Sequence, residues 1–316
     1  MKTTSLLRLG LLLTAVLTFS LTGCKKDEPA PPDTNSASVQ QLSMDDNAIQ
    51  MANDEALADV NGVLYGGGGG GLKETNFLPC NATVDSANVI NDTITYYITY
   101  NGLNCPETVI RTGKVEIRKA VGTHWWMPGA TVKVTYLNLK STRVSDGKFI
   151  ILNGSITNQN VTGGHWFMLG NGLPSIVHKH WGTLNVTFFD NTTAMWHVAR
   201  QQTYTGQVGP GNTLVMAIDG FGTEGTYTNL ESWGTDRSGA QFYISISESV
   251  VHRQACGWDP CSGVKTITYP EADMGATITF GFDVNNQPVT PPECPVKFRV
   301  DWYMGADSGT VFLFLH

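Results

Sequence analysis

Two clusters of aromatic and histidine side chains are the first candidates for binding chemistry. Residues 124–126 (His-Trp-Trp) and 165–167 (His-Trp-Phe) are similar, and each stands before or within a glycine-rich turn. An indole exposed at a turn can stack on the apolar face of a sugar ring, as aromatic platforms do in carbohydrate-binding modules. Trp125, Trp126 and Trp166 are therefore candidate glycan-stacking residues; the alternative is that they pack in the core or at a sheet edge. The tryptophans that we assign to the core are Trp196, Trp233, Trp258 and Trp302.

Three histidines are candidates for metal binding. His178 and His180 are two residues apart, so on a strand both side chains lie on one face, and His197 lies on the next predicted strand. Three imidazoles on one face suit zinc or copper. No carboxylate or cysteine stands at ligand spacing beside them. We therefore favour the alternative, in which they are polar, outward-facing residues of a sheet, and we predict no metal and no cofactor.

Signatures of enzymatic catalysis are missing from the sequence. Glycoside hydrolysis requires two carboxylates at a defined separation. Neither the Gly-x-Ser-x-Gly nucleophile motif nor the His-Glu-x-x-His zinc motif occurs. The pattern predicts a non-enzymatic protein, because nothing selects a pair from the acidic residues near predicted turns, which are Asp190, Asp219, Glu224, Glu231 and Asp236.

The elements that must position these residues are predominantly β-strands. Apolar and polar residues alternate with a period of two, as in residues 94–100, 131–136 and 183–188, and no helical stretch interrupts the runs. This pattern is typical of antiparallel strands with one buried and one hydrated face. It predicts an all-β domain over residues 73–316, a meander of about ten to twelve long strands. The meander could form a sandwich or a curled half-barrel, with two sheet halves joined near residue 210.

A tether and a short helix are predicted before the strands. Residues 24–41 are rich in proline, aspartate, serine and asparagine, which is typical of a disordered tether. Residues 42–72 contain a short helix, with Ser43 as N-cap and Asp46 in a capping-box position, and a glycine-rich joint. The joint at 66–71 disfavours helix, because each glycine costs about 1 kcal/mol relative to alanine. The predicted apolar face of the helix consists of Ile49, Ala52, Ala56, Val60 and Val63.

Residues 1–23 have the organisation of a secretory signal peptide. Lys2 and Arg8 give a positive start, an apolar stretch follows, and small residues precede Cys24. The tetrapeptide Leu21–Cys24 resembles the lipobox of bacterial lipoproteins. The resemblance implies cleavage before Cys24 and lipidation of its thiol. Two or three acyl chains hold a protein firmly on a membrane, because each buried methylene contributes about 0.8 kcal/mol.

The residues after Cys24 resemble a second targeting signal. Residues 25–28 (Lys-Lys-Asp-Glu) resemble the charged surface-export signals of Bacteroidetes lipoproteins. The resemblance implies that the protein is anchored in the outer membrane and exposed at the cell surface. The alternative is that these charges only begin the tether and that the protein faces the periplasm.

The cysteines predict a disulfide framework, because an exported chain folds where disulfides form. Cys80 and Cys105 bracket the first predicted strand, so we pair them. Among the three remaining cysteines we predict the pair Cys256–Cys294, with Cys256–Cys261 as the alternative. An odd number of cysteines leaves one thiol free or paired with another chain.

The charge of the chain restricts its partners. After removal of residues 1–23, 293 residues remain, with 18 basic and 27 acidic side chains and a net charge of −9. This length suits one large or two modest domains. An acidic chain without a basic block is a poor binder of nucleic acid. We therefore predict no nucleic-acid partner, and membrane contact through the N-terminal lipid alone.

The wider chain resembles a group of uncharacterised Bacteroidetes lipoproteins. The resemblance rests on Thr-Tyr-Asn-Gly-Leu-Asn-Cys at 99–105, Asn-Gly-Ser-Ile-Thr-Asn at 153–158 and the region around Cys256, and it spans most of residues 80–316. It implies no activity. The first hypothesis is a membrane-anchored exported lipoprotein with a binding or scaffolding role, whose partner could be another surface protein. The second is a surface glycan-binding module of a polysaccharide-uptake system.

Overall fold

The computed structural model describes residues 37–66, 79–86, 89–207, 211 and 213–315. The predicted signal peptide, Cys24, most of the predicted tether and the glycine-rich joint beyond Gly66 lie outside these residues. Two short 3-10 helices occur at Trp166–Met168 and Gln254–Cys256. The other elements, in chain order, are α1 (Ala37–Gly66), β1 (Ala82–Ser86), β2 (Thr93–Leu103), β3 (Val109–Ala120), β4 (Ala130–Arg143), β5 (Phe149–Asn160), β6 (Ile176–Phe188), β7 (Thr193–Thr205), β8 (Val215–Gly220), β9 (Gly222–Glu224), β10 (Tyr227–Thr235), β11 (Gln241–Arg253), β12 (Pro260–Tyr269), β13 (Met274–Phe282), β14 (Lys297–Met304) and β15 (Asp307–Phe314).

All fifteen strands belong to one antiparallel sheet, as the period-two alternation predicts. Strands adjacent in sequence are neighbours from β1 to β7 and from β10 to β15, so the chain forms a meander. Strand β7 pairs with β8 and also with β10, and β8 pairs with β11. The strands on either side of residue 210 therefore lie in one continuous sheet and not in two joined halves.

The sheet curls around α1. One turn of the helix contacts three distant strands: Asn53 accepts a hydrogen bond from Tyr136 of β4, Asp54 binds Arg200 of β7, and Gln50 accepts one from Lys265 of β12. In sheet order β4 and β12 are six strands apart, which is about 29 Å in a flat sheet. A helix is only about 10–12 Å across with its side chains. The fold is therefore the curled form of the two predicted alternatives and not a sandwich of facing sheets.

Irregular strand pairing accommodates the curl. The register of β3 and β4 shifts between Thr112 and Lys114, and similar shifts occur between β4 and β5 and between β11 and β12. Such bulges increase the local twist and bend of a strand. Gly113 stands at the first shift with a φ of 101°, and a Cβ there would lie 2.1 Å from the carbonyl oxygen of Asn138. Only glycine fits this close approach of two backbones.

The helix begins within the predicted tether and is longer than expected. It spans 30 residues, so residues 37–41 are helical and not disordered. Ser43 is not the N-cap, because its hydroxyl lies inside the helix and donates to the carbonyl oxygen of Val39 at 2.8 Å. Asp46 binds Ser232 of the sheet instead of closing a capping box. No helix in the described residues combines the length and apolarity needed to cross a membrane.

The hydrophobic core lies between α1 and the concave face of the sheet. The predicted apolar face of the helix is buried there, together with alternating strand residues such as Leu184, Val186 and Phe188. Trp196 and Trp302 belong to the same core, as predicted. Burial of each large apolar side chain contributes about 1.5–3 kcal/mol, so the helix is an integral part of the folded structure.

Both predicted disulfides are present. Cys80 binds Cys105 with 5.2 Å between Cα atoms, and Cys256 binds Cys294 with 5.4 Å. The fifth cysteine, Cys261, is a buried free thiol. The bridged cysteines are separated by 25 and 38 positions in the sequence. The two disulfides stabilise the fold by restricting the conformations of the unfolded chain.

Candidate ligand-binding groove

The candidate glycan-stacking indoles come together, but they pack against protein. Trp125 is 1% exposed and lies beside His178, with 5.3 Å between the ring centroids. Trp166 is half-buried and meets Tyr204 edge-to-face at 4.7 Å. A buried ring cannot reach a ligand, so the prediction of a sugar platform is wrong for Trp125. The alternative of packing describes both residues.

Trp126 lies in a stack of four rings that joins the two predicted clusters. Its centroid is 4.5 Å from that of His124 and 4.7 Å from that of His165, with near-parallel planes. His165 stacks in turn on Phe167 at 5.1 Å. Partial burial lowers the pKa of His165, which favours its neutral ring. Because neighbouring rings occupy the π surface of Trp126, this indole also has a packing role.

An open groove on the outer face of the sheet offers the aromatic surface that these clusters lack. Its volume is about 470 Å³, and three aromatic side chains form its walls: Trp181 of β6, Phe221 between β8 and β9, and Trp233 of β10. Trp181 meets Phe221 edge-to-face at 6.3 Å, and Phe221 is 37% exposed. The ring of His197 stacks on Trp233 at 5.4 Å and fixes that wall from the neighbouring strand.

Small residues between these walls create the depression. Ala199 of β7 stands opposite Trp181 in the strand register, and Gly222 of β9 lies against Trp233. A Cβ on Gly222 would lie 2.6 Å from Cζ3 of Trp233, so a larger residue would displace the wall. The result is a shallow, largely apolar depression, which would leave one side of a bound molecule exposed to solvent.

Among the polar side chains described in the lining of the groove, Lys179 is charged, whereas Gln159 and Thr183 are neutral. Gln159 of β5 stands opposite Lys179 of β6, and the hydroxyl of Thr183 hydrogen-bonds Nδ1 of His197 at 2.9 Å. The ammonium group of Lys179 lies 4.8 Å from the ring centroid of Phe221, in a cation–π contact. The described lining residues include no carboxylate.

Sequence reasoning missed both indoles of the groove. We interpreted Trp233 as a core residue and did not select Trp181. The alternation contained a signal for Trp181, because Leu184 and Phe188 face the core and odd-numbered positions of the same strand face outward. The proximity of Trp181 to Trp233 depends on strand register. Trp258, the other misassigned core residue, is 39% exposed.

The three histidines do not converge on a metal ion. His178 and His180 face the core and are buried, whereas His197 lies on the outer face. The interpretation as outward-facing residues is therefore wrong for His178 and His180. Burial lowers the pKa of His178 to about 3 and that of His180 to about 4, so both rings are neutral at pH 7. In the described part of the chain, no group of three or more His, Cys, Asp or Glu is placed to hold a metal.

A chain of ion pairs joins α1 to the concave face. Lys265 lies 3.1 Å from Asp46 and 2.5 Å from Glu231, and Arg200 lies 3.6 Å from Glu231 and 2.9 Å from Asp54. Desolvation lowers the pKa of Lys265, but the Asp46 and Glu231 carboxylates outweigh it and raise the net value. These charges are enclosed and position the helix. None of the five acidic residues considered for hydrolysis lines the groove.

Comparison of the chain with protein-family models, curated proteins and solved structures gives no match. A second depression, between α1 and β12, has a volume of about 20 Å³, enough for a single water molecule.

Proposed function

We propose that this chain is an exported lipoprotein, anchored in the outer membrane by acyl chains on Cys24 and exposed at the cell surface, and that it binds a glycan in its outer groove. The proposed location is supported by the sequence alone, through the predicted signal peptide, the lipobox-like residues ending in Cys24 and the charged residues 25–28. The binding role develops the second of the two hypotheses, with its site moved to Trp181, Phe221 and Trp233.

The observation that carries the binding role is three aromatic walls around a floor of small residues. A pyranose ring has an apolar face of C–H groups, and a flat aromatic ring provides the matching surface. Trp181 is on β6 and Trp233 is on β10, and β7 lies between these strands. A ligand that contacts both rings therefore runs across the strands. Gln159 and Thr183 supply the hydrogen-bonding groups that sugar hydroxyls require.

The groove favours binding over hydrolysis. Glycosidases generally hold two carboxyl groups about 5–9.5 Å apart on either side of the scissile bond. The described lining residues contribute aromatic, amide, hydroxyl and ammonium groups, and no acid. A bound glycan would thus be retained without an acid to protonate the leaving oxygen.

Lipid attachment at Cys24 is the first testable element of this proposal. Cells that express the full chain and receive an alkyne analogue of palmitate are expected to label the protein, because the thiol and the new amino group are the acylated atoms. A Cys24→Ser variant should lose the label and leave the membrane fraction. Equal labelling of both forms would contradict the anchor.

Glycan binding is tested by substitution of a groove wall. The purified full chain is expected to bind members of an oligosaccharide panel, and Trp181→Ala should weaken the binding about 30-fold. That factor corresponds to about 2 kcal/mol, the loss typical of an aromatic residue at the centre of an interface. Isothermal titration calorimetry with a bound oligosaccharide measures the change.

The matched control is Trp258→Ala, since Trp258 is exposed and does not line the groove. This variant should bind as tightly as the unsubstituted chain. A panel with no bound member, or an equal loss of affinity in both tryptophan variants, would show that the groove is not a glycan site.

A further inference from the structure

We infer that the glycan recognised by the groove is acidic, with a carboxylate or sulfate group held by Lys179; this inference rests on the proposed function. The chain as a whole is acidic, with a net charge of −7 before any cleavage. The groove departs from this average, because its described lining contains one lysine and no carboxylate. A site that presents a cation alone selects ligands of negative charge.

Lys179 has no paired carboxylate among the described residues, and on the same face Asp219 of β8 stands two strands away and accepts a hydrogen bond from Ser249. In the described part of the chain the ammonium group of Lys179 forms no salt bridge and lies 4.8 Å from the ring centroid of Phe221. A cation over an aromatic face keeps N–H groups free to donate to an anion.

The cations that contact α1 show the contrast. Arg111, Arg200, Arg237 and Lys265 each pair with a carboxylate of α1, at distances between 2.6 and 3.1 Å. Those charges are compensated inside the fold. Lys179 lies on the opposite face of the sheet, since its neighbours His178 and His180 face the core, and α1 cannot reach it.

The position of Lys179 fits a ligand that also stacks on the indole. Lys179 and Trp181 are two residues apart on β6, so both side chains project from the same face, about 7 Å apart along the strand. Gln159 stands opposite Lys179 on β5 and offers an amide donor beside the ammonium group. A sugar ring stacked on Trp181 thus places a ring substituent within reach of Lys179 and Gln159.

The test uses an oligosaccharide panel in which each neutral sugar is paired with its uronate and its sulfated counterpart. We expect the acidic members to bind more tightly than the neutral ones. Lys179→Met should weaken binding of the acidic members about tenfold, in line with the loss of one charged hydrogen bond, and leave neutral members unchanged. Lys179→Arg should retain the preference, and Lys133→Met, which removes an exposed lysine of β4 outside the groove, should change nothing.

The arms of this test separate the outcomes. Tighter binding of the uronates alone assigns a carboxylated ligand, and tighter binding of the sulfated members alone assigns a sulfated one. Equal binding of neutral and acidic members, or an acidic preference that survives Lys179→Met, overturns the inference while glycan binding stands. If no member binds, the proposed function itself fails.

Discussion

Lowering the pH from 7 to 5 is expected to reduce the free energy of unfolding by about 4 kcal/mol through His178 and His180 alone. Both rings are buried on the concave face of the sheet, and burial holds the pKa of His178 at about 3 and that of His180 at about 4. In the unfolded chain each has an ordinary pKa near 6.5. Between about pH 4 and 6.5 the unfolded chain therefore binds more protons than the folded one.

The sign of the effect follows from this difference in bound protons. The contribution of the two buried neutral histidines to the free energy of unfolding is fully present above about pH 6.5. It is lost as the pH falls, by about 1.4 kcal/mol per pH unit for each histidine. Asp45 and Asp59 act in the opposite sense at the acidic end, because burial raises the pKa of both. A comparison with a histidine variant isolates the contribution of His178.

Urea denaturation at pH 7, 6 and 5, followed by tryptophan fluorescence, measures the effect. His178→Phe should remove about 1.4 kcal/mol per pH unit from the slope. It should preserve stability at pH 7, because neither ring nitrogen of His178 has a hydrogen-bond partner in the described structure. Met127→Leu, an exposed change that removes no titratable group, should keep the original slope. An unchanged slope in His178→Phe would show that this ring is not buried neutral.

Removal of the buried cation Lys265 is expected to destabilise the fold by about 3–5 kcal/mol. Its ammonium group lies between Asp46 and Glu231, and both carboxylates are almost inaccessible to solvent. Lys265→Met deletes the positive charge but retains most of the side-chain volume. Two buried carboxylates then lose their shared partner. Of these two, Glu231 keeps an ion pair with Arg200, which Arg200 shares with Asp54.

The matched control is Arg143→Met, which removes the cation of an exposed ion pair with Asp146. Exposed pairs contribute about 0–1 kcal/mol, so the two Met variants should differ by several kcal/mol in chemical denaturation. The double variant Lys265→Met, Glu231→Leu should recover part of the loss, because it also removes a stranded charge. A loss below about 1 kcal/mol in Lys265→Met would mean that water reaches this network.

The two stability predictions bear on the proposed function through the geometry of the groove. Strands β6, β7 and β10 carry Trp181, Ala199 and Trp233 on their outer face. The inner faces of the same strands carry His180, Arg200 and Glu231. The buried contacts of α1 therefore fix the positions of the strands that form the binding groove.

Local chemistry explains what the sequence predicts well. The alternation in β4 and β6 indicates which side chains face the core, because side chains on a strand project alternately to its two faces. Position along the chain predicts the pair Cys80–Cys105, whereas the choice of Cys256–Cys294 over Cys256–Cys261 is decided by the structure. The apolar face of α1 follows from three- and four-residue spacing. All of these signals lie within short stretches of sequence.

Only the tertiary structure reveals the acidic face of α1 as an interior surface. Asp45, Asp46 and Asp54 resemble the solvated face of a surface helix, and their partners Arg237, Lys265 and Arg200 lie about 150 to 220 residues further along the chain. A charged side chain is generally buried only where it forms an ion pair or hydrogen bonds with a partner. The sequence contains the charges but not their pairing.

The candidate binding groove also combines features that the sequence predicts with features that only the tertiary structure decides. Sequence alone predicts a lipobox at Cys24, which stays a prediction, and it predicts the antiparallel strands, which the structure confirms. Which indoles meet depends on the register of β6, β7 and β10 and on the curl of the sheet. These are set by contacts between residues far apart in sequence, so the same tryptophans could equally be core or surface until the strands are paired.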